Sequence, residues 1–571
     1  MKGSTKAMRL WAFMAACLVV ALASVVQAGP AYTPVTDQML VKPPAGDWLM
    51  FRGSYNGWGY SPLQQIDTSN VKELVPVWTF STGVTEGHEA PPIVHDGIMF
   101  VTTPYNRLYA LDAKTGDLLW KYERQLPEDV FPLVCCDVVN RGVALYGDKV
   151  YMGTLDSHLI AFDARTGKTV WDRTVGDYKV GEIITSPPLV VKGKVITGVH
   201  GGEFGVRGFL QAFDAETGRS LWKTYTTPGP GEPGHDTWSG DAWMHGGAAP
   251  WYVGTYDPEL DVVYWGTSNA SPWLGEARPG DNLYTASALA LDPDTGKIRY
   301  HFQYTPHDVW DYDGVNELVL ADLTVDGRKV RAALHANRNG YYYVLDRTDL
   351  QFVKAMPFVH VSAVRSVDPK TGRPQYDPQA TPALGKQVSA CPGFLGGKNW
   401  SPMAYNPQTG LLYIPSNEWC MDIKGIQVSY LAGQPYVGAE FEMKPVPQLD
   451  HIGKLQAVDP ATGRQVWSQR FQIPIWGGVL TTAGGLTFYG TPDRYFRAYD
   501  AKTGKVLWQF RTNSGVVGVP STFEVDGVQY VAVQSGWGGA VPLWGGPIVQ
   551  RVRDVPKGGV IWVFALRDKV R

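Results

Sequence analysis

Apolar and polar positions alternate along this chain in short runs, of which Arg107 to Leu111 is one, rather than at the 3.6-residue spacing of amphipathic helices. A fixed pattern follows the runs: an aspartate, a glycine four residues on and an aromatic eight residues on. It occurs at Asp112, Gly116 and Trp120; at Asp163, Gly167 and Trp171; and at Asp214, Gly218 and Trp222. It returns at Asp292, Gly296 and Tyr300; at Asp459, Gly463 and Trp467; and at Asp500, Gly504 and Trp508. A worn copy at Asp346 lacks both the glycine and the tryptophan. Each unit predicts a hairpin whose turn needs the glycine's free φ and whose second strand carries the aromatic.

The first three aspartates lie 51 residues apart, which suits four short strands plus loops, the size of one propeller blade. Later spacings of 78 and 113 predict insertions on the faces of the ring, where sites are built. With 64 glycines and 41 prolines punctuating the chain, the expected class is all-β, an eight-bladed β-propeller with tryptophan-docking repeats. The eighth blade is expected in the 113-residue interval. The strand from Val560 to Ala565 is expected to close the ring against the N-terminal segment. The repeated tryptophans are read as blade packing, and a propeller alone specifies no chemistry.

Residues 1–28 read as a secretory signal: Lys2, Lys6 and Arg9, then an apolar run from Leu10 to Val26, ending at Ala28. Residues 29–571 would then form one propeller domain in an oxidising compartment, the periplasm. The whole chain carries a formal charge of −3, and removing the three positive charges of the signal lowers it to −6. That disfavours nucleic acid as a partner. No other segment has the roughly 20 apolar residues of a membrane helix. Cys17 falls in the signal, leaving Cys135, Cys136, Cys391 and Cys420, an even set open to oxidation as two pairs.

Cys135 and Cys136 are adjacent. A disulfide between neighbours closes a ring too small to restrict the unfolded chain, so its value would lie in local shape, as a polarizable platform for an aromatic cofactor. Two reduced cysteines packed as small hydrophobes is the alternative. Asp311 and Asp313 are two apart, so on an extended strand both would project from one face and repel unless a proton or cation intervened. With Glu203 and Asn269 they would offer an all-oxygen site for a large hard cation. A turn cap beside Gly314 is the alternative there.

Several separated motifs occur in order: the vicinal cysteines with Asp137 and Arg141, Gly201 to Gly208, Gly246 to Trp251, Gly266 to Asn269 with Trp273, Trp310 to Gly314, His335 to Gly340, and Gly396 to Trp400. Over nearly all of residues 29–571 the chain resembles the type I quinoprotein alcohol dehydrogenases, eight-bladed propellers that hold pyrroloquinoline quinone (PQQ) and a metal ion near the ring axis. The resemblance implies that PQQ lies between the Cys135–Cys136 disulfide and Trp251. Glu89, Arg141, Thr185, Gly201, Gly202, Arg338, Asn399 and Trp476 would complete its contacts. Glu203, Asn269, Asp311 and Asp313 match the metal ligands, and Cys391 and Cys420 a second disulfide. His200 stands where calcium-type members have serine and is left out of the cofactor set.

Asp313 resembles the lanthanide-dependent members, and charge agrees: Glu203, Asp311 and Asp313 suit a trivalent ion better than calcium, the alternative metal. The resemblance further implies that Asp311 takes the alcohol proton while hydride passes to PQQ, with Arg338 stabilising negative charge. Trp273, Trp476 and Trp537 are expected to wall the pocket. The motifs at Trp251, Asn399 and Trp544 look ethanol-type, so primary alcohols from ethanol upward are the expected substrates. No Cys-x-x-Cys-His haem site occurs, which implies a separate c-type cytochrome as acceptor. A homodimer is compatible with this reading. Two alternatives stand beside it: a calcium-dependent methanol dehydrogenase and a non-enzymatic propeller scaffold of outer-membrane assembly.

Overall fold

In the computed structural model, which describes residues 32–570, each repeating aspartate ends or directly follows a strand and opens a tight turn. The signal segment, with Cys17, lies outside the described residues. At Asp112 the carboxylate accepts the backbone N–H groups of Lys114 and Thr115 at 2.8 and 2.9 Å, and the carbonyl accepts the Gly116 N–H at 2.8 Å. The chain reverses through Gly116 at φ 81°, a left-handed conformation free of steric cost only for glycine.

A second constraint falls on the same glycines. A Cβ on Gly167 would stand 2.5 Å from the Trp120 ring, and one on Gly218 2.7 Å from the Trp171 ring. The tryptophan of one sheet thus lies over the turn of the next and donates its indole N–H there: Trp120 to the Ala164 carbonyl at 2.9 Å, Trp171 to Ala215 at 3.0 Å, Trp467 to Ala501 at 3.0 Å. Within its own sheet each of these indoles faces a small residue, Ala110 opposite Trp120 and Ala161 opposite Trp171, beside a β-bulge. In the worn fifth unit Met356 replaces the tryptophan, packing against Gly463.

Eight sheets of at least four strands follow, giving the expected propeller, with antiparallel pairing within each four-stranded blade. The eighth blade, however, does not lie between Asp346 and Asp459. It is built from both ends of the described chain: Leu74–Ser81 pairs antiparallel with Val560–Leu566, which continues into Val528–Ser535 and Ser521–Val525. Its own tryptophan is Trp78, which donates to Ala113 at 3.2 Å, while Trp508 of the seventh blade donates to Leu74 at 3.1 Å. A blade split between chain ends has no contiguous repeat, so the Asp–Gly–Trp spacing does not reveal it.

The 113-residue interval instead holds a hairpin, Val364–Val367 with Pro374–Tyr376, and a three-stranded sheet of Gln387–Ala390, Trp419–Gly425 and Ala439–Pro445. The Cys391–Cys420 disulfide fastens this insertion. Opposite in sequence, the segment from Val35 to Ser61 crosses the ring. It bonds to Gly147, Val94, Val190, Leu320 and Thr481, residues of five different blades.

Gly167→Ala and Gly327→Ala separate the two constraints on the turn glycines. Gly327 has φ 80° and open space around its Cβ position, so its alanine meets only the left-handed backbone penalty of about 1–2 kcal/mol. Gly167→Ala adds a clash with Trp120, a further cost of about 1–3 kcal/mol. Thermal unfolding of the two variants should show the larger loss for Gly167→Ala; equal losses would remove the docking contact from this account.

Candidate active site

A cavity of about 230 Å³ opens among the loops that join the blades. Cys135 and Cys136, joined as a vicinal disulfide, form part of its wall, which excludes the reduced-thiol alternative. Arg141, Glu203, Trp251, Asp311, Arg338, Asn399 and Trp476 also reach the wall. Glu89, Thr185, Gly201, Gly202, Asn269 and Asp313 do not line it and stand behind the residues that do.

The supporting residues act through specific bonds. Arg141 donates to the Thr185 hydroxyl at 2.9 Å, and its Nε lies 2.9 Å from Glu89 Oε2 without the alignment of a hydrogen bond. The Trp476 indole N–H donates to the other Glu89 oxygen at 3.2 Å. Asn399 accepts the Trp400 N–H at 2.8 Å and donates to the Leu395 carbonyl at 3.0 Å. Gly201 and Gly202 permit close approach: a Cβ on Gly202 would stand 2.6 Å from Asn269 Oδ1, and one on Gly201 2.3 Å from the Gly181 carbonyl.

Asp311 and Asp313 converge, but not on an extended strand. Residues 307–314 form a loop in which Asp311 is left-handed at φ 66°. Asp308 pins this loop by accepting the N–H groups of Trp310 and Tyr312 at 3.0 and 2.8 Å, so the carboxylates meet through loop geometry rather than strand alternation. The cation between them is Arg338, whose Nη1 reaches Asp311 at 2.9 Å and whose Nη2 reaches Asp313 at 2.7 Å. Asp313 also accepts the Trp251 indole N–H at 2.9 Å and the Asn269 N–H at 2.5 Å.

Two buried carboxylates, Asp311 and Asp313, thus share one guanidinium, and the half-buried Glu203 lies on the same cavity wall. Burial raises all three carboxyls, Asp313 to about 6 and Asp311 well above the usual range, with mutual repulsion adding to the effect at Asp311. Asp311 Oδ1 and Asn269 Oδ1 are buried and accept no hydrogen bond. Unpartnered hard oxygens in a negatively charged pocket fit a metal cation, which would restore ionisation of the carboxylates. The cavity likewise fits a flat anionic cofactor, with the Arg141 and Arg338 guanidiniums 5.2 and 5.8 Å from the Trp251 ring.

Several cavity residues escape the sequence reading. His200 lies 3.5 Å from Cys135 Sγ and 5.9 Å from the Trp251 ring centre, and burial drives its imidazole down to about 3, so it is neutral. Cys135, Cys136 and His200 cluster, but disulfide sulfurs are not thiolates and make no metal site. Phe394 and Phe441 pack at a tilt against Trp273 on the wall, ring centres 5.8 and 5.4 Å away, and Trp544 donates its N–H to the Cys135 carbonyl at 3.1 Å. These aromatics sit off the blade repeat, and that irregularity was the available signal. Trp273 and Trp476 wall the cavity as expected; Trp537 does not, being buried with its backbone N–H on Ser514.

Glu89 yields a pH prediction for protein prepared without PQQ. Burial raises its carboxyl from 4.5 to about 7, against the opposing pull of Arg141, so the native state keeps a proton that the unfolded chain releases. The associated stability is fully present below about pH 4.5 and is lost as pH rises through about 7. Denaturant midpoints should therefore show Glu89→Gln gaining on the parent protein over this window, by on the order of 2 kcal/mol. A difference independent of pH would contradict the assignment.

Comparison with known proteins agrees with this geometry. A family profile described as "Glucose/ethanol/alcohol dehydrogenase, beta-propeller domain" matches residues 48–365 and 451–531. The chain is 47% identical over 577 residues to quinoprotein alcohol dehydrogenase PedH of Pseudomonas putida, covering 96% of each. It is 44% identical over 567 residues to a quinoprotein ethanol dehydrogenase of Pseudomonas aeruginosa, covering 91% of this chain and 90% of that one. The solved structure of a europium-containing methanol dehydrogenase superposes with a TM-score of 0.89 at 41% identity, covering 93% of this chain and all of that one. These matches set aside the scaffold alternative: the chain belongs to the quinoprotein alcohol dehydrogenases, PQQ-dependent enzymes that oxidise alcohols.

Proposed function

We propose that this enzyme oxidises primary alcohols, ethanol and longer chains in preference to methanol, to aldehydes in the periplasm with a lanthanide ion as its metal, passing electrons to a soluble c-type cytochrome. The observation that carries the reading is the cluster of Glu203, Asn269, Asp311 and Asp313 around Arg338, with two buried oxygens left unpartnered. Three carboxylates favour a trivalent ion over calcium. The relative whose solved structure contains europium supports the same choice. PQQ, when bound, would supply the two-electron acceptor, with the metal ion polarising it.

The chain's own residues supply the rest. Asp311, once a bound cation keeps it ionised, would take the hydroxyl proton of the alcohol, while Arg338 holds Oδ2 and fixes the carboxylate's orientation. Trp251 and the disulfide wall would hold the cofactor plane, with Arg141 and Asn399 as donors at its edge. Trp273, Phe394 and Phe441 give the substrate side an apolar aromatic wall that suits an alkyl tail and excludes water.

Reconstituting metal-free protein with PQQ and either lanthanum or calcium, then following ethanol-dependent dye reduction, tests the metal. Turnover is expected with lanthanum and not with calcium; calcium-only turnover would make this a calcium enzyme. Asp313→Ala should lose lanthanum-supported turnover while still binding PQQ, as read from cofactor absorbance.

Asp311→Asn should lower turnover by about 10²–10⁴-fold with PQQ still bound. A variant that kept the parental rate would exclude Asp311 as the base.

A further inference from the structure

A second group of buried charges, Arg52, Glu317 and Lys398, takes no part in the alcohol chemistry. Lys398 donates to Glu317 Oε2 at 2.9 Å, and Glu317 Oε1 accepts the Met403 N–H at 2.6 Å, so this carboxylate is satisfied. Arg52 comes from the segment that crosses the ring. Its Nη2 donates to the Met403 and Val479 carbonyls, whereas Nε and Nη1 are buried with no partner. The Tyr252 hydroxyl is also buried without a partner.

Two cations against one carboxylate leave an excess positive charge in a region where Arg52 is 4% and Glu317 2% exposed. Unpaired buried guanidinium N–H groups are costly, and proteins satisfy such groups with a counter-ion or ordered water. Arg52 and Glu317 line a pocket of about 30 Å³ together with Ser54, Tyr55, Thr255 and apolar side chains such as Leu49, Phe51, Leu189 and Val253. That volume admits one small particle and is too small for sulfate, phosphate or a carboxylic acid. A water molecule would leave the excess positive charge in place, whereas a monatomic anion both accepts from the free N–H groups and offsets that charge.

We propose that this chamber is a binding site for a single monatomic anion of the halide class, held by the free N–H groups of Arg52. The anion neutralises the Arg52–Lys398–Glu317 group and fastens the ring-crossing segment to the underside of the propeller. The site is separate from the alcohol-oxidising cavity and stands whether or not the metal and substrate assigned there are correct.

The test uses holoenzyme crystals soaked in sodium bromide, with anomalous diffraction locating bromide without any variant. A peak within hydrogen-bonding distance of Arg52 Nε or Nη1 is expected. In parallel, replacing acetate by chloride at constant ionic strength should raise the thermal midpoint of the holoenzyme by about 1–2 °C. Arg52→Met should abolish both effects; should that variant fail to fold, the wild-type peak and chloride shift still decide. A chamber without anomalous signal, together with equal midpoints in chloride and acetate, would overturn the proposal in favour of water.

Discussion

The architecture rests on the docking of an indole over a left-handed glycine. Trp120 over Gly167, Trp171 over Gly218 and Trp467 over Gly504 each join one sheet to the next through a hydrogen bond and a contact that admits no Cβ. The contact sets the angle between neighbouring sheets, and repetition of that angle makes the ring close. Closure in turn brings loops from distant parts of the chain to one place. Cys135, Trp251, Asp311, Arg338, Asn399 and Trp476 belong to different stretches and meet only because the sheets form a circle.

Two buried charge systems of opposite sign follow from that convergence. In one, Asp311 and Asp313 exceed the single guanidinium of Arg338; in the other, Arg52 and Lys398 exceed Glu317. Neither is balanced by side chains of the described residues within its own group, and burial makes the imbalance costly. Such an interior is one that folding alone does not satisfy. The fold is completed by what it binds, and the two systems differ in kind: hard oxygens awaiting a cation, and N–H groups awaiting an acceptor.

The propeller was legible because its repeat reflects backbone sterics: an aspartate that caps a turn, a glycine at positive φ and an aromatic at fixed register leave a trace in any copy. What was not legible was non-local. The eighth blade is divided between the chain ends, and its Trp78 precedes the repeat it belongs to. Asp311 and Asp313 were paired correctly, but for a strand that is a loop held by Asp308. Many of the residues that the motifs single out line the cavity, but His200, Phe394, Phe441 and Trp544 line it too and were not assigned to it, because none of them carries the spacing of the repeat. Trp537 was misplaced because an isolated tryptophan gives no sign of which surface it faces.

The pairing of Leu74–Ser81 with Val560–Leu566 has a kinetic consequence. A strand near the start of the chain waits for one near its end, so the ring cannot be sealed on a growing polypeptide. Loop-closure entropy makes this last contact the slowest kind to form. Until it forms, Trp78 has no closed sheet from which to dock, and the short helix Ala540–Trp544, which reaches the cavity, has no fixed position. Assembly of the catalytic chamber therefore waits until Val560–Leu566 has been made, and cofactor loading must either follow closure or drive it.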